Sequence, residues 1–465
     1  MPESLGIVVL AAGQGTRMKS STHKVLHKLV GRPMIDHVLH ATSGLSPDRS
    51  VVVIGHGAEQ VQSHLGNSVQ YALQAPPRGT GDAVRCARQC LEGVDTVLVL
   101  LGDSPLVKPR TLQRLLEVHR QEQPLVTLLT GRTHDPGRIL RDEKGRVIGI
   151  VEMKLATPEQ LQIAERNSGV AAFNAAWLWP QLESLEVSPL GEYLLTDLTG
   201  QAVATGEVRG RCPVTAVELE DPNEAMGINN RAQLAEAEAV LRRELLHDLM
   251  LSGVTVLDPA STYVHAGVHV GPDTTLLPGT HLLGNTSVGA GCTIGPSTAI
   301  VDSEIGDGCH VQWSVVESSR VGTGSDVGPF SHLRPGSRIG PNVHLGNFVE
   351  TKNTSIGSGS ASGHFSYLGD AVIGENVNIG AGAITANYDG VSKHQTRIGD
   401  NAFIGVDSIL RAPVEIGEGG RTGAGAVVTR DVPAGKLVVG VPARVVPQSA
   451  RRDQDARGNQ KEPRS

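Results

Sequence analysis

The segment from Leu10 to Met18, LAAGQGTRM, with Lys24 shortly after it, sets two glycines beside two fixed cations. Gly13 and Gly15 let a main chain approach a phosphate closely, its N–H groups can cradle the oxygens, and Arg17 and Lys24 add positive charge. That combination suits the handling of phosphate groups. The loop lacks the third glycine of the dinucleotide fingerprint and the Gly-Lys-Ser/Thr of a P-loop. Taken alone, it equally describes a tight strand-to-helix turn with solvated basic side chains. Asp103 closes an apolar run, where an unpaired carboxylate is costly and a divalent cation is a natural partner. It is equally suited to cap a helix before Pro105, as Asn229 is to cap the helical stretch after it. Cys86 and Cys90 stand one helical turn apart with no further Cys or His near them, which reads as two small helix residues.

The elements that must hold these residues follow from the apolar pattern. Gly6–Leu10, Val51–Ile54, Val97–Leu101 and Val126–Leu129 read as buried strands, and a helix is predicted from about Pro33. Strand and helix alternate through the first half, which argues for an open α/β sheet with ligands at the carboxyl ends of its strands. The second half keeps a different beat. An aliphatic residue returns every sixth position at Val321, Val327, Leu333, Ile339 and Leu345, and the same beat recurs at Val288, Ile294 and Ile300 and at Ile398, Ile404, Leu410 and Ile416. A period of six fits neither helix nor ordinary strand but does fit short parallel strands stacked around a narrow core, with glycine at the corners. The beat lapses at Lys352–Thr354 and Asn387–Gln395, which predicts two loops thrown out from the stack.

Composition agrees with that division. Aromatic residues make up only 3% of the 465 and glycines number 56, as a narrow aliphatic core with many corners requires. The net charge of -7, with mixed signs along the chain, leaves no broad basic face for nucleic acid. No run reaches the ~20 apolar residues of a membrane helix. The five scattered cysteines suit reduced thiols, and together these features predict a cytoplasmic protein.

The Leu10–Met18 segment followed by Lys24-Val-Leu26 resembles the signature of the sugar-1-phosphate nucleotidylyltransferases. Gln74, Gly79-Thr80-Gly81, Gly102-Asp103, Gly137-Arg138, Ile150-Val-Glu152, Asn167-Ser-Gly169 and Gly227-Ile-Asn-Asn-Arg231 follow in the order of one branch of that family. The hexads resemble the left-handed parallel β-helix of hexapeptide-repeat acyltransferases. With Gly363-His364 and Asn387-Tyr-Asp-Gly390 added, residues 5–445 are similar to a family of bifunctional bacterial enzymes: glucosamine-1-phosphate acetyltransferases that are also N-acetylglucosamine-1-phosphate uridylyltransferases.

The resemblance implies an α/β fold in parts: a Rossmann-like nucleotidyltransferase domain at 1–231, a linker helix at 232–251 and a left-handed β-helix at 252–447. A charged tail at 448–465, without apolar pattern, is predicted to be disordered. It further implies that Leu10, Ala11, Ala12, Gly13, Lys24, Gln74, Gly79, Thr80, Gly102, Asp103, Gly137, Glu152, Asn167 and Asn229 meet UTP or UDP-GlcNAc. Arg17 and Lys24 act on the phosphates, and Asp103 and Asn229 carry Mg²⁺. In the second half it implies His364 as the base of acetyl transfer. Arg334, Lys352, Tyr367 and Asn378 would hold glucosamine phosphate, and Ala381, Asn387, Tyr388, Val406 and Ala424 acetyl-CoA. Three positions depart from relatives: Leu101 stands for a Tyr, Val406 for a Ser, and Gly440 lies near where some have Arg, which leaves Arg444 or another basic residue for the CoA phosphates.

The implied product is UDP-GlcNAc for bacterial cell-wall synthesis, made by a homotrimer from small-molecule substrates. Two rivals stay open on sequence alone: a monofunctional sugar-nucleotide pyrophosphorylase with a regulatory β-helix, and a β-helix serving only as a trimerisation scaffold.

Overall fold

The computed structural model describes residues 3–132, 137–208 and 210–446. The predicted tail at 448–465 lies outside the described residues. The chain divides into two compact units, 1–241 and 242–465. The division falls inside the helix Arg231–Leu251, after Leu241.

The first unit is built on a sheet ordered Val214–Glu218, Val126–Gly131, Arg166–Asn174, Thr96–Leu101, Leu5–Ala11, Arg49–Ile54, Gln70–Leu73. All neighbours pair in parallel except Arg166–Asn174, which runs antiparallel to both of its neighbours. The central strands are continuous apolar runs because both faces are covered: Val8, Val51 and Val97 pack on one side, Ile7, Val52 and Leu98 on the other. The predicted helix spans Met34–Thr42, but two short 3₁₀ turns, Thr16–Met18 and Lys24–Leu26, come between it and the glycine loop. These turns bring Lys24 back toward the strand ends. In the first unit, Ala237 of the long helix is buried with Leu29, Met34 and Ile228. In the second, Leu246 joins the apolar interior.

Among the described residues the second unit is a β-helix of three faces, with 12, 10 and 9 strands respectively, all pairing in parallel except Arg444–Val445, which runs antiparallel to Leu437–Val439. The first face begins with Thr255–Val256, the second with Tyr263–Val264, the third with His269–Val270. The hexad residues Val321, Val327, Leu333, Ile339 and Leu345 are all buried in one aliphatic core. Glycine after the aliphatic is demanded less by backbone angle than by stacking: a Cβ on Gly322 would lie 2.5 Å from the carbonyl carbon of Gly340 in the next coil. Buried hydroxyls line the corners, and several are satisfied by the next coil, as where Thr274 and Ser325 donate to the carbonyls of Gly289 and Gly340, each at 2.8 Å.

Only one of the two predicted loops exists. Lys352 completes a four-residue strand, Val349–Lys352, and the corner after it is tight. The lapse there reflects a shortened coil, since Arg338 pairs with Ser355, 17 residues on, where Arg320 pairs with Arg338, 18 residues on. The second lapse is a true insertion: Val372 pairs with Arg397, a step of 25 residues, against 17 from Ser355 to Val372.

Candidate active sites

In the first unit the strand Leu5–Ala11 ends at the glycine loop. A Cβ on Gly13 would meet nothing within 4 Å, so the main chain there is open to a ligand. Gly15 is needed for another reason. It has φ +60°, and a Cβ would come 2.7 Å from Cβ of Lys24. Gly102 donates to the Leu10 carbonyl at 2.9 Å, and so carries the strand Thr96–Leu101 and the Asp103 that follows it to the mouth of the same loop.

Four of the sequence-implied residues converge here. The Lys24 ammonium, on a side chain only 12% exposed, donates to the Asp103 carboxylate and, at 2.8 Å, to Oδ1 of Asn229. Arg17 Nη2 donates to the same Asn229 oxygen at 2.8 Å. The capping alternatives do not hold. The helix after Asp103 begins at Pro109 with Lys108 as its cap. At the long helix, Asn230 Oδ1 accepts from Gln233 N at 3.0 Å, the capping role, while the Gln233 side chain accepts from Asn229 N at 2.8 Å. Asn229 is thereby left with its amide oxygen aimed at the cations. Among the described residues no group of three His, Cys, Asp or Glu side chains is placed to hold a metal. Asp103 and Asn229 nevertheless converge two hard oxygens on one cation, here an ammonium, and Mg²⁺ in phosphate-transfer sites takes one or two such protein ligands with substrate oxygens completing its shell.

Beside this cluster lies a cavity of about 240 Å³, lined on one side by Leu10, Leu101, Leu128 and Phe173 and on the other by Thr80, Glu152, Asn167 and Thr196. Burial pushes the Glu152 carboxyl above its ordinary pKa, against the bond it accepts from Thr196 Oγ1 at 3.1 Å. Gly137 and Asn167 are joined by a backbone bond of 3.1 Å, and a Cβ on Gly137 would press within 3.4 Å of Asn167 and 4.0 Å of Glu152. Leu101 closes the floor against Gly169. At the other rim Gln74, buried, donates through Nε2 to the Gly79 carbonyl and to Asp82, each at 2.9 Å, which turns its amide oxygen the other way. Gly79 has φ +106°, and a Cβ there would strike the Tyr193 backbone at 2.5 Å. Thr80 Oγ1 accepts from Leu195 N at 3.1 Å.

In the second unit several of the remaining candidates lie on or beside the second face. Glu350 and Lys352 share the outward side of the strand Val349–Lys352, and Tyr367 pairs with Glu350 one coil on. Arg334 Nη1 donates to Glu350 Oε1 at 2.8 Å, which raises the guanidinium pKa. Lys393 of the inserted hairpin lies within hydrogen-bonding reach of Lys352, and that contact, then the like charges of Lys393 and Arg334, lower the Lys352 pKa. Arg334, Lys352 and Lys393 thus form a cationic edge at the junction of the second and third faces. His364 lies across the face from them, at the corner between the first and second faces, exposed and without a hydrogen bond among the described residues. Ala381, Val406 and Ala424 follow it at the same corner, one per coil, leaving a line of small side chains. Asn387 and Tyr388 open the hairpin, Asn387 buried and Tyr388 exposed. Asn378 is not with Tyr367: it lies on the first face, outward, between Ala361 and Phe403. Arg444 is exposed and donates to its neighbour's carbonyl at 3.0 Å.

Sequence reasoning missed Glu350, Lys393 and Thr196. Glu350 was readable from its position two residues before Lys352, and Lys393 from its place inside the second lapse. Nothing near Thr196 marked it.

Residues 7–186 match the MobA-like NTP transferase domain family. Residues 395–430 match the bacterial transferase hexapeptide family of six repeats, and residues 371–392 the hexapeptide repeat of succinyl-transferase. The chain is 47% identical over 445 residues to the bifunctional protein GlmU of Pelobacter propionicus, covering 94% of this chain and 96% of that one. It is 49% identical to the GlmU of Heliobacterium modesticaldum and 43% identical to that of Shouchella clausii, in each case over 437 residues and 93% of this chain, and over 94% and 95% of the relatives. A nucleotide-transferase unit and a hexapeptide unit, joined in one chain and alike over nearly their whole length to these proteins, mean that the chain belongs to the bifunctional GlmU family.

Proposed function

We propose that the protein carries out two successive transfers: acetylation of glucosamine 1-phosphate by acetyl-CoA in the second unit, then uridylylation of the resulting GlcNAc-1-phosphate by UTP in the first. The catalytic segments are 1–231 and 252–447, on either side of the helix at 232–251. The observation that carries the reading is that each unit has its own converging set of candidate residues: Arg17, Lys24, Asp103 and Asn229 in one, and Arg334, Lys352, Tyr367 and His364 in the other.

Uridylyl transfer needs no nucleophile from the protein. A phosphate oxygen of the sugar phosphate attacks the α-phosphorus of UTP in line, and the bond to pyrophosphate breaks. The chain's task is to assemble anions and neutralise them. Arg17 and Lys24 do so at the glycine loop, whose open main chain at Gly13 admits the triphosphate. Gln74, Gly79 and Thr80 hold the base, and Gly137, Glu152 and Asn167 hold the sugar, Glu152 accepting from its hydroxyls. Asp103 and Asn229 would hold Mg²⁺, which supplies charge neutralisation between the phosphates.

For acetyl transfer, the sugar phosphate lies across the second face with its phosphate at the cationic edge and its amine toward His364. The amine nitrogen attacks the thioester carbonyl, His364 takes the amine proton, and CoA leaves as the thiolate. The small residues at Ala381, Val406 and Ala424 leave a slot for the pantetheine arm, and Asn387 and Tyr388, which the family resemblance gives to acetyl-CoA, stand at the opposite edge of the same face.

A homotrimer accounts for two further features. Trp313, Phe330, Phe348 and Phe365 occupy the corner of His364 in successive coils and stay 43%, 54%, 59% and 56% exposed, although the whole chain has only five Phe. Phe330 and Phe348 are stacked with centroids 5.3 Å apart, and Trp313 lies tilted against Phe330 at 6.2 Å. An apolar line of this kind calls for cover, and a second copy seated on it would bring the partner subunit's Asn378 to the sugar held by Tyr367. No helix of the described residues is long and apolar enough to cross a membrane. The test is to supply the purified protein with each half-reaction separately: glucosamine 1-phosphate with acetyl-CoA should release CoA, and GlcNAc-1-phosphate with UTP and Mg²⁺ should release pyrophosphate. Loss of either reaction in active preparations contradicts the bifunctional reading.

A further inference from the structure

The inserted hairpin at 387–395 carries Lys393 to the cationic edge, and what holds it there is a set of bonds about one carboxylate. Asp389 Oδ1 accepts from the N–H groups of Val391 and Ser392, at 2.8 and 2.7 Å. Its other oxygen accepts from His394 Nε2 at 2.7 Å. These N–H donors, Ser392 first and then the imidazole, hold the Asp389 carboxyl well below the usual carboxylate range. The base of the hairpin is fixed as well: His394 N donates to the Asn387 carbonyl at 2.7 Å, and Tyr388 and Lys393 face each other as a bridge. Asp389 and His394 therefore bracket the bridge, one on each strand.

This fixation has work to do. Arg334, Lys352 and Lys393 repel one another, Glu350 is already engaged by Arg334, and a long exposed lysine on a free loop would turn away into water. Holding Lys393 in place before the anion arrives removes an ordering cost from binding. We propose that the Asp389–His394 pair is a clasp that positions Lys393, making both residues positioning residues for capture of the sugar phosphate's dianion. The proposal rests on the reading that the cationic edge binds that phosphate.

The test uses full-length protein carrying His394→Ala, His394→Gln, Lys393→Gln or Lys352→Gln. His394→Ala should raise the KM for glucosamine 1-phosphate about 10-fold, in the range of one lost bond to a charged group, with kcat within about twofold and uridylyl transfer unchanged. Inhibition by inorganic phosphate should weaken in parallel. His394→Gln, which keeps an N–H donor for Asp389, should recover most of the loss, and Lys393→Gln combined with His394→Ala should be no worse than Lys393→Gln alone. If Lys352→Gln and Lys393→Gln raise KM while His394→Ala does not, the clasp is overturned and the phosphate site stands. If neither lysine variant changes KM, the phosphate reading itself falls. A fall in kcat at unchanged KM in His394→Ala also overturns the clasp.

Discussion

The Lys24 ammonium lies 2.8 Å from the amide oxygen of Asn229, a residue 205 positions away, and Arg17 donates to the same oxygen at 2.8 Å. Asn230 performs the capping at the start of the long helix, so Asn229 is spared that duty. Together with Asp103, this yields a small oxygen-lined point held by two cations.

Removing that point should separate the two activities. Asp103→Ala should lower uridylyl transfer by more than ~100-fold, given that even the outer partners of a metal typically cost 10–100-fold. CoA release from acetyl-CoA should remain at the wild-type rate. Asn229→Ala should act in the same direction with a smaller loss, measured by Mg²⁺-dependent pyrophosphate release. Normal release by Asp103→Ala would show the residue to be structural.

Glu152 joins stability to function. Burial raises its pKa, so the folded chain holds the proton more tightly than the unfolded chain does. Stability therefore falls as pH rises from the ordinary carboxylate range through the raised value, and stays lower above it. Glu152→Gln should raise Tm at pH 7 to 8, and the gain should shrink as pH falls into the ordinary carboxylate range. The KM for GlcNAc-1-phosphate should rise at least ~10-fold through loss of a charged acceptor. A Tm gain independent of pH would mean that ionisation of Glu152 is not its source.

The aromatic line at the corner of the β-helix gives a test of assembly. Phe348→Glu places a charge in this line and should convert the proposed trimer to smaller species in light scattering, with acetyl transfer down by at least ~10-fold. Uridylyl transfer should persist. An intact trimer with full acetyl transfer would remove this corner from the interface.

His364→Ala should reduce the acetyl-transfer turnover number by ~10²- to 10⁴-fold, the usual contribution of a general base. The KM for glucosamine 1-phosphate should change little, because the cations proposed to hold the phosphate lie at the opposite edge of the face. Wild-type turnover at neutral pH in this variant would transfer the role to another group.

What was legible in the sequence follows from how locally each feature is specified. Hexads announce themselves because each aliphatic of the beat must reach one narrow core, as Val321 through Leu345 do. The strand Arg166–Asn174 is not marked by an unbroken apolar run, because it opens with Arg166, Asn167, Ser168 and Gly169 and bulges there before Ala171 resumes the pairing. Spacing also failed at Lys352–Thr354, where a coil one residue short imitates a loop in the pattern. The meeting of Arg17, Lys24, Asp103 and Asn229 comes from the topology of the sheet, which no local period encodes. It was named through family resemblance, and the same resemblance did not reveal that Asn378 and Tyr367 occupy different faces.

Two sites proposed to act independently in separate units should be separable by mutation. Asp103→Ala and His364→Ala proteins should each fail to make UDP-GlcNAc from glucosamine 1-phosphate, acetyl-CoA, UTP and Mg²⁺. Mixed in equal amounts and followed by UDP-GlcNAc formation, they should recover product, with GlcNAc-1-phosphate accumulating first; a mixture as inactive as its parts would contradict the account.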